Sequence, residues 1–130
     1  MTDFSKAMAI SASGMQAHAS RLRISSENIA NAETPGYRRK TVPFEQVQNR
    51  DLGVSLVSTG KLSLDQSELK RVYDPSHPMA DAEGYFDSSN VNSIIEIADA
   101  REAQRSYEAN LKMFEQARQM STSLLELLRR

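Results

Sequence analysis

The C-terminal segment, residues 92–130, contains neither glycine nor proline. Both residues interrupt helices, so their absence here predicts one continuous helix of ~37 residues, ~55 Å long. The helix could begin with Asn92 as its N-cap or with a capping box formed by Ser93 and Glu96, and the spacing leaves both open. A helix this long exceeds the usual range of about 8–20 residues, which favours a coiled coil or an extended bundle.

Apolar or small residues recur along this helix in steps of mostly three and four, the pattern of a coiled-coil seam. The predicted seam consists of Ala100, Ala103, Tyr107, Phe114, Ala117, Leu124 and Leu128, with Asn110 and Ser121 as polar members. Other apolar residues lie outside the seam: Ile94, Ile97, Leu111, Met113, Met120, Leu125 and Leu127. We expect these to stay uncovered in a monomer and to be buried against copies of the chain or its relatives.

A second long helix is predicted at the other end, from Asp3 to about Asn31. Its apolar stripe repeats every seven residues and consists of Met8, Met15, Leu22 and Ile29. So narrow a stripe cannot form a core by itself, and antiparallel pairing with the C-terminal helix is the simplest way to bury both. We therefore expect this stripe to face Tyr107, Phe114, Leu124 or Leu128.

A turn should end the first helix. In Thr34-Pro35-Gly36-Tyr37, proline sets φ at the second position and glycine accepts the positive φ of the third, as a type II turn requires. Asn28 and Asn31 just before it could cap the helix end, or their amides could tie it to a neighbouring subunit. The cations that follow, residues 38–40, could be solvated or could form salt bridges across an interface.

The middle of the chain is predicted to contain small β-structure. Residues 54–58 and 61–65 alternate apolar and polar side chains, and Thr59-Gly60 between them suggests a tight hairpin connection. Residues 84–86 could form one more short strand. The expected fold is mainly α, with three segments: an N-terminal axial helix (1–33), a middle turn, hairpin and loop segment (34–89), and a C-terminal axial helix (90–130).

Composition excludes several classes of function. The formal net charge of −1 supplies no basic field for nucleic acid, and the absence of cysteine excludes disulfides and thiolate metal sites. The N-terminus lacks the apolar region of a cleavable export signal, and no stretch approaches the ~18 apolar residues of a membrane-spanning helix.

Reactive side chains are few. His18 is expected in a core or interface, and His77 in a proline-rich loop, although Asp74 and Asp81 near His77 make a weak metal site conceivable. Asp81 and Glu83 could act as an acid–base or calcium pair, but acids beside a glycine are common in turns. We predict no catalytic, metal or cofactor site.

Two motifs, one near each end of the chain, resemble those of a known protein family. Residues 25–40, SSENIANAETPGYRRK, resemble the N-terminal signature of the bacterial flagellar axial proteins (rod, hook and hook-associated proteins). Residues 105–120, RSYEANLKMFEQARQM, are similar to that family's C-terminal signature. Both occur in the right order at opposite ends, and the short middle segment, with residues 72–92, is most similar to proximal-rod members.

The resemblance implies a structural subunit of the basal-body rod, the shaft that carries torque from motor to hook. Such proteins assemble as a helical tube whose terminal helices line a channel, and the flagellar type III apparatus exports them through it. The implied partners are copies of the chain, other proximal and distal rod subunits, and the rod-base adaptor. Two rival interpretations are a soluble helical adaptor or chaperone of flagellar export, and a periplasmic hydrolase using His77, Asp81 or Glu83.

Overall fold

The protein consists of two long antiparallel helices with three small two-stranded sheets between them in sequence. The computed structural model describes residues 3–130; the first two residues of the predicted N-terminal segment lie outside that range. The elements are α1 (Asp3–Ala30), β1 (Lys40–Thr41), β2 (Phe44–Asn49), β3 (Val54–Thr59), β4 (Ser63–Leu64), β5 (Arg71–Tyr73), β6 (Tyr85–Asp87) and α2 (Ser93–Leu128). The predicted fold class, mainly α with long terminal helices and a small β segment, is confirmed.

Both helices begin and end close to the predicted positions. Asn92 is the N-cap of α2, because its side chain accepts hydrogen bonds from the backbone N–H groups of Ile94 and Ile95. The capping-box alternative is wrong: the Glu96 side chain is buried and pairs with Arg39 instead. At the end of α1, Gly36 has φ of 75° and the Tyr37 N–H donates to the Thr34 carbonyl at 3.1 Å, which confirms the predicted turn.

The helices approach closely because small residues line their contact. Gly14 of α1 lies so near Asn110 of α2 that a Cβ at position 14 would stand 2.8 Å from the Asn110 Oδ1. Further along, Arg21 reaches Glu102, and near the start of α1 Phe4 lines the same groove as Met120. The pairing is therefore antiparallel, as predicted.

The hydrophobic core is thin. Among the described residues its buried apolar side chains are Ala17, Ile24, Val91, Ala103 and Ala117, and α1 adds buried serines at positions 11, 13 and 25. Close backbone approach therefore replaces large side chains as the means of packing, and each contact buries little apolar area.

The α2 seam is only partly covered. Ala103 and Ala117 are buried; Ala100, Asn110, Leu111, Phe114 and Ser121 are half-buried; Tyr107, Leu124 and Leu128 are exposed. On α1, the stripe Met8, Met15, Leu22 and Ile29 is half-buried, while the adjacent positions Gly14 and Asn28 are buried. The predicted facing of this stripe with the α2 seam stays a prediction.

The main hairpin has a different partner from the one predicted. β3 pairs with β2, in a register that places Phe44 opposite Thr59 and Asn49 opposite Val54, and not with residues 61–65. The turn that closes it contains Gly53 with φ of 66°, and the Gly53 N–H donates to the Asn49 carbonyl at 2.8 Å. Gly60, which was predicted to connect the two strands of a hairpin, directly follows β3, and its N–H donates to the Pro43 carbonyl.

The remaining strands form short pairs near the helix ends. β4 pairs with β1, and β6 pairs with β5, which places Tyr73 opposite Tyr85. The predicted strand near residues 84–86 is confirmed, but its partner β5 lies in a segment predicted to be loop. These pairs join the middle of the chain to the end of α1 and the start of α2.

The molecule exposes far more surface than a compact protein of its mass. Its accessible surface is 9158 Å² at 14.5 kDa. A compact monomer of that mass exposes roughly 6,900 Å². The fold therefore leaves about a third more surface uncovered than a globule would.

Candidate functional site

Asn28 is the centre of the connection between α1 and the chain that follows it. Its side chain is 1% exposed. The Nδ2 donates to the Lys40 carbonyl at 2.9 Å, while the Oδ1 accepts from the Lys40 N–H at 2.9 Å and from the Tyr37 hydroxyl at 2.8 Å. Burial raises the pKa of Tyr37, so its hydroxyl stays a donor. The side-chain amide of Asn28 thus fixes the position of residues 37 and 40 against the end of α1.

Asn31 caps the helix end. Its Nδ2 donates to the Glu27 carbonyl at 2.8 Å, and its Oδ1 accepts from the Thr34 hydroxyl at 3.1 Å. Of the two interpretations, capping is thus the one found for Asn31. Asn28 fits neither, because its amide ties α1 to residues 37 and 40 of its own chain.

The segment before α2 closes the other side of this connection. The Gly36 N–H donates to the Ser88 carbonyl at 3.1 Å, and the Ser89 hydroxyl donates to the Ala32 carbonyl. The Asn90 Oδ1 accepts from the Arg39 N–H at 2.6 Å. We call residues 28–40 together with 87–92 the junction. Its hydrogen bonds hold the end of α1 beside the start of α2.

A network of charged side chains locks α2 to the junction. Arg39 pairs with Glu96, whose side chain is 1% exposed, and lies 3.3 Å from Asp99. Arg21 of α1 reaches Asp99 at 3.6 Å and Glu102 at 3.3 Å. A buried carboxylate must keep its counter-charge, so this network sets the angle between junction and helix.

The other two cations are also engaged within the chain. Lys40 lies 3.2 Å from Glu27, and this hydrogen bond lowers the pKa of Glu27. The Arg38 Nη1 donates to the carbonyls of Asp65, at 3.3 Å, and Ser67, at 3.1 Å. The run 38–40 therefore binds parts of its own fold in the monomer.

Sequence reasoning missed Ser89 and Asn90 of the junction, and Glu96 of α2, which pairs with Arg39 of the junction. The local spacing indicates only a capping role for Glu96, although it is an acid at a position spaced by seven from Ala103 and Asn110 of the seam. That position was the available signal for its burial. For Ser89 and Asn90 the sequence offered no signal beyond loop composition.

A second feature is the uncovered apolar surface at the far end of the helix pair. There Leu124 is 47% exposed, Leu127 66% and Leu128 75%. Two open grooves, of about 480 Å³ and about 400 Å³, flank Phe4 and are lined mainly by α2 side chains such as Met113 and Met120. Such a surface is suited to receive another apolar helix face.

Two of the side chains that could serve catalysis, His77 and Asp81, have structural partners within the fold. The His77 ring stacks on Phe86 with 3.9 Å between centroids, and its Nδ1 accepts from the Met79 N–H at 3.1 Å. Asp81 accepts backbone hydrogen bonds from Tyr85 and Glu83, which lower its pKa. Asp81 and Glu83 thus form the ordinary turn that was the alternative to an acid pair.

His18 lies between α1 and the hairpin. Its ring meets Phe44 edge-on at 5.1 Å, and its Nδ1 is buried without a hydrogen-bond partner. Burial, and then the Arg21 charge, lower its pKa. Within residues 3–130, no group of three metal-ligating side chains occurs, and neither helix is apolar enough over its length to cross a membrane.

Comparison with known proteins decides the family. A family model described as flagella basal body rod protein matches residues 8–38, and one described as the C-terminal part of flagellar basal body rod FlgEFG proteins matches residues 82–127. A flagellar basal-body rod protein FlgC of Agrobacterium fabrum is 45% identical over 99% of this chain and 98% of its own length. The chain belongs to the FlgC family of flagellar basal-body rod proteins.

More distant members of the FlgC family align over nearly the same length. The FlgC protein of Aquifex aeolicus is 37% identical over 88% of this chain and 89% of its own, and that of Salmonella typhimurium is 31% identical over 91% and 92%. The regions that the two family models match contain most of α1 with residues 28–38 of the junction, and β6 with nearly all of α2. The resemblance to proximal-rod members is thereby confirmed.

Proposed function

We propose that this chain is a structural subunit of the proximal rod that polymerises through its terminal helices. The assembled helices would transmit torque from motor to hook and line the export channel. End-to-end similarity to FlgC proteins carries the proposal. The large exposed surface and the uncovered α2 seam support it, because a rod subunit must complete its burial against neighbours.

The junction has a specific role in this proposal. A torque-bearing subunit must keep a fixed angle between its axial helices and its middle segment. The buried Asn28 and the Arg39–Glu96 pair supply that fixed angle within one chain. The apolar seam residues, which include Met8, Met15, Leu22, Ile29, Tyr107, Leu111 and Phe114, would then supply contacts within and between subunits.

The proposal extends to route and partners. The subunit would be exported by the flagellar type III apparatus without a cleavable signal, and would meet the other proximal and distal rod subunits and the rod-base adaptor in the periplasm. It would perform no catalysis. The engagement of His77 and Asp81 in loop structure supports that last point.

Fractionation and complementation test the proposal. In a strain lacking the gene, the chain should restore swimming and co-purify with basal bodies. Protein that stays in the cytoplasm and is absent from basal bodies would indicate an export adaptor or chaperone instead. Alanine at His77, Asp81 and Glu83 together should leave swimming intact; a hydrolytic activity that disappears in this variant would contradict the structural role.

A further inference from the structure

The β2–β3 hairpin is attached to the rest of the chain at one end. Its two connections lie side by side there, because the Gly60 N–H donates to the Pro43 carbonyl at 2.8 Å. The hairpin packs on α1 mainly through β3. It lies outside the junction, which is formed by residues 28–40 and 87–92. The hairpin can therefore leave α1 while its connections and the contact between the two helices stay in place.

The contact between the hairpin and α1 is incompletely packed. The Val57 N–H donates to the Ser13 hydroxyl at 3.2 Å, and that hydroxyl donates to the Ile10 carbonyl at 2.8 Å. Beside this bond an open cavity of about 400 Å³ separates part of α1 from the end of β3. The ring contact between His18 and Phe44 is a second point of attachment. Docking of the hairpin is therefore sensitive to what happens at this ring.

His18 carries a buried ring nitrogen at this contact. Its Nδ1 has no hydrogen-bond partner among residues 3–130, and Phe44 lies against the ring with 5.1 Å between centroids. A neutral imidazole is compatible with this position, because its bare nitrogen carries no charge. A protonated ring would place a charged N–H donor in an apolar contact, which is far more costly. Protonation therefore favours an arrangement in which the ring regains water.

Charged groups on the two helices disfavour the protonated ring on balance. Burial is the main cause that lowers the pKa of His18, and Arg21, about one helical turn away on α1, lowers it further. Glu102 of α2 acts in the opposite direction. The carboxylates of Glu102 and Asp99 are already paired with Arg21, at 3.3 and 3.6 Å. The acids of α2 thus compensate Arg21 rather than a second cation.

The hairpin brings no counter-charge to the ring. Strand alternation places Glu45 on the face opposite Phe44, and its carboxylate lies against Gly60. β3 contains no titratable side chain. The remaining charged residues of the hairpin, Arg50 and Asp51, belong to its turn, roughly 20 Å along β2 from Phe44. A proton on the docked His18 is therefore not compensated from this side.

We propose that His18 is a pH-sensitive latch that holds the β2–β3 hairpin against α1. With a neutral ring the hairpin stays docked, because Phe44 covers the imidazole and Ser13 accepts from the Val57 N–H. When His18 is protonated, the hairpin moves away from α1 and water solvates the imidazolium. The latch lies outside the junction and the α2 seam, so it goes beyond the proposed rod function and does not depend on it.

Amide hydrogen exchange of the full chain, read by NMR, tests the latch. The Val57 N–H is bonded to α1, so its protection factor reports docking of the hairpin. The N–H of Ala103, a buried residue of α2, reports unfolding of the helix pair. Local undocking predicts that Val57 is at least about tenfold less protected than Ala103. Equal protection of the two amides would overturn the proposal, because the hairpin would then leave α1 only when the whole molecule unfolds.

The pH dependence identifies His18 as the latch. Between pH of about 7.5 and about 5.5, an undocked imidazole with the ordinary pKa of about 6.5 sets a limit of about tenfold on the change. The Val57 protection factor, taken relative to the intrinsic exchange rate at each pH, should fall by about three- to tenfold over this range. It should stay constant in His18→Gln and fall as before in the matched control His77→Gln. A constant value in the unmodified chain, or the same fall in His18→Gln, would overturn the proposal.

Phe44→Leu provides a second arm that does not require His18→Gln to fold. Titration of the His18 ring protons by NMR gives the pKa of this residue directly. Leucine uncovers part of the imidazole, so the pKa of His18 should rise relative to the unmodified chain, and the pH dependence at Val57 should shrink. An unchanged pKa of His18 in Phe44→Leu would show that the hairpin does not control the ring, and would overturn the proposal.

Discussion

Replacing Asn28 by alanine tests whether the junction depends on one amide. The substitution removes three hydrogen bonds, one donated to the Lys40 carbonyl and two accepted from the Lys40 N–H and the Tyr37 hydroxyl. At about 1 kcal/mol net for each bond, the loss is about 3 kcal/mol. Lys40 and Tyr37 are half-buried, so water reaches part of them and no larger penalty is expected.

Helix propensity offsets a part of this loss. Alanine in place of asparagine within α1 returns about 0.5 kcal/mol, leaving about 2.5 kcal/mol of destabilisation. With an unfolding entropy of about 2.1 cal/mol/K per residue over 130 residues, Tm should fall by about 9 °C. Thermal unfolding followed by circular dichroism measures the shift.

Two companion variants make the result specific. Ser26→Ala lies two residues earlier on the exposed face of α1, and should change Tm little. Tyr37→Phe removes one of the three bonds and should cost about 1 kcal/mol. When Tyr37→Phe is added to Asn28→Ala, it should cost much less than about 1 kcal/mol, because the Asn28 Oδ1 that accepts from the Tyr37 hydroxyl is already absent. A Tm for Asn28→Ala matching that of Ser26→Ala would refute the assigned role.

Three further predictions concern the helix contact and the hairpin. Arg39→Ala should cost about 3–5 kcal/mol in urea unfolding, because it leaves Glu96 buried without its counter-charge, whereas Arg21→Ala should cost under about 1 kcal/mol; equal costs would contradict the network. Gly14→Ala should destabilise by about 1–2 kcal/mol, since its Cβ would overlap the Asn110 amide, and adding Asn110→Ala should recover stability; no recovery would argue against this contact. Because the pKa of His18 is lowered in the folded protein, the unfolded chain binds a proton at this residue at a higher pH than the folded chain does. Stability should therefore decline as the pH falls below about 6.5 towards the folded-state pKa. The plot of Tm against pH should be flatter for His18→Gln, and the same flattening in the control His77→Gln would contradict this assignment.

Local features of the chain were predictable where they act within a few residues. The absence of glycine and proline predicted α2, and Pro35 with Gly36 predicted the turn that ends α1. Asn92 is one of the two caps that the spacing allows, and it is the one found. In each case the deciding interaction joins neighbours in sequence, so spacing and residue type are sufficient.

Strand pairing was only half predictable. Alternation identified β3, but both glycines that flank it could have closed a hairpin. Gly53 has the left-handed φ that the turn needs, and Gly60 does not. The composition of β2 hid its strand character, because nearly all of its residues are exposed and no apolar pattern is required of them.

By itself the sequence determined two long helices, the corner between the first helix and the middle segment, and membership in a flagellar axial family. The tertiary structure decided which residues meet. Gly14 packs against Asn110, the Asn28 amide is hydrogen-bonded to the Lys40 backbone, and the buried Glu96 carboxylate pairs with Arg39. These contacts join residues far apart in the chain, and their energies depend on burial and counter-charge, which no local pattern encodes. The same corner signature that ends a helix locally becomes, once folded, the place where both long helices are held together.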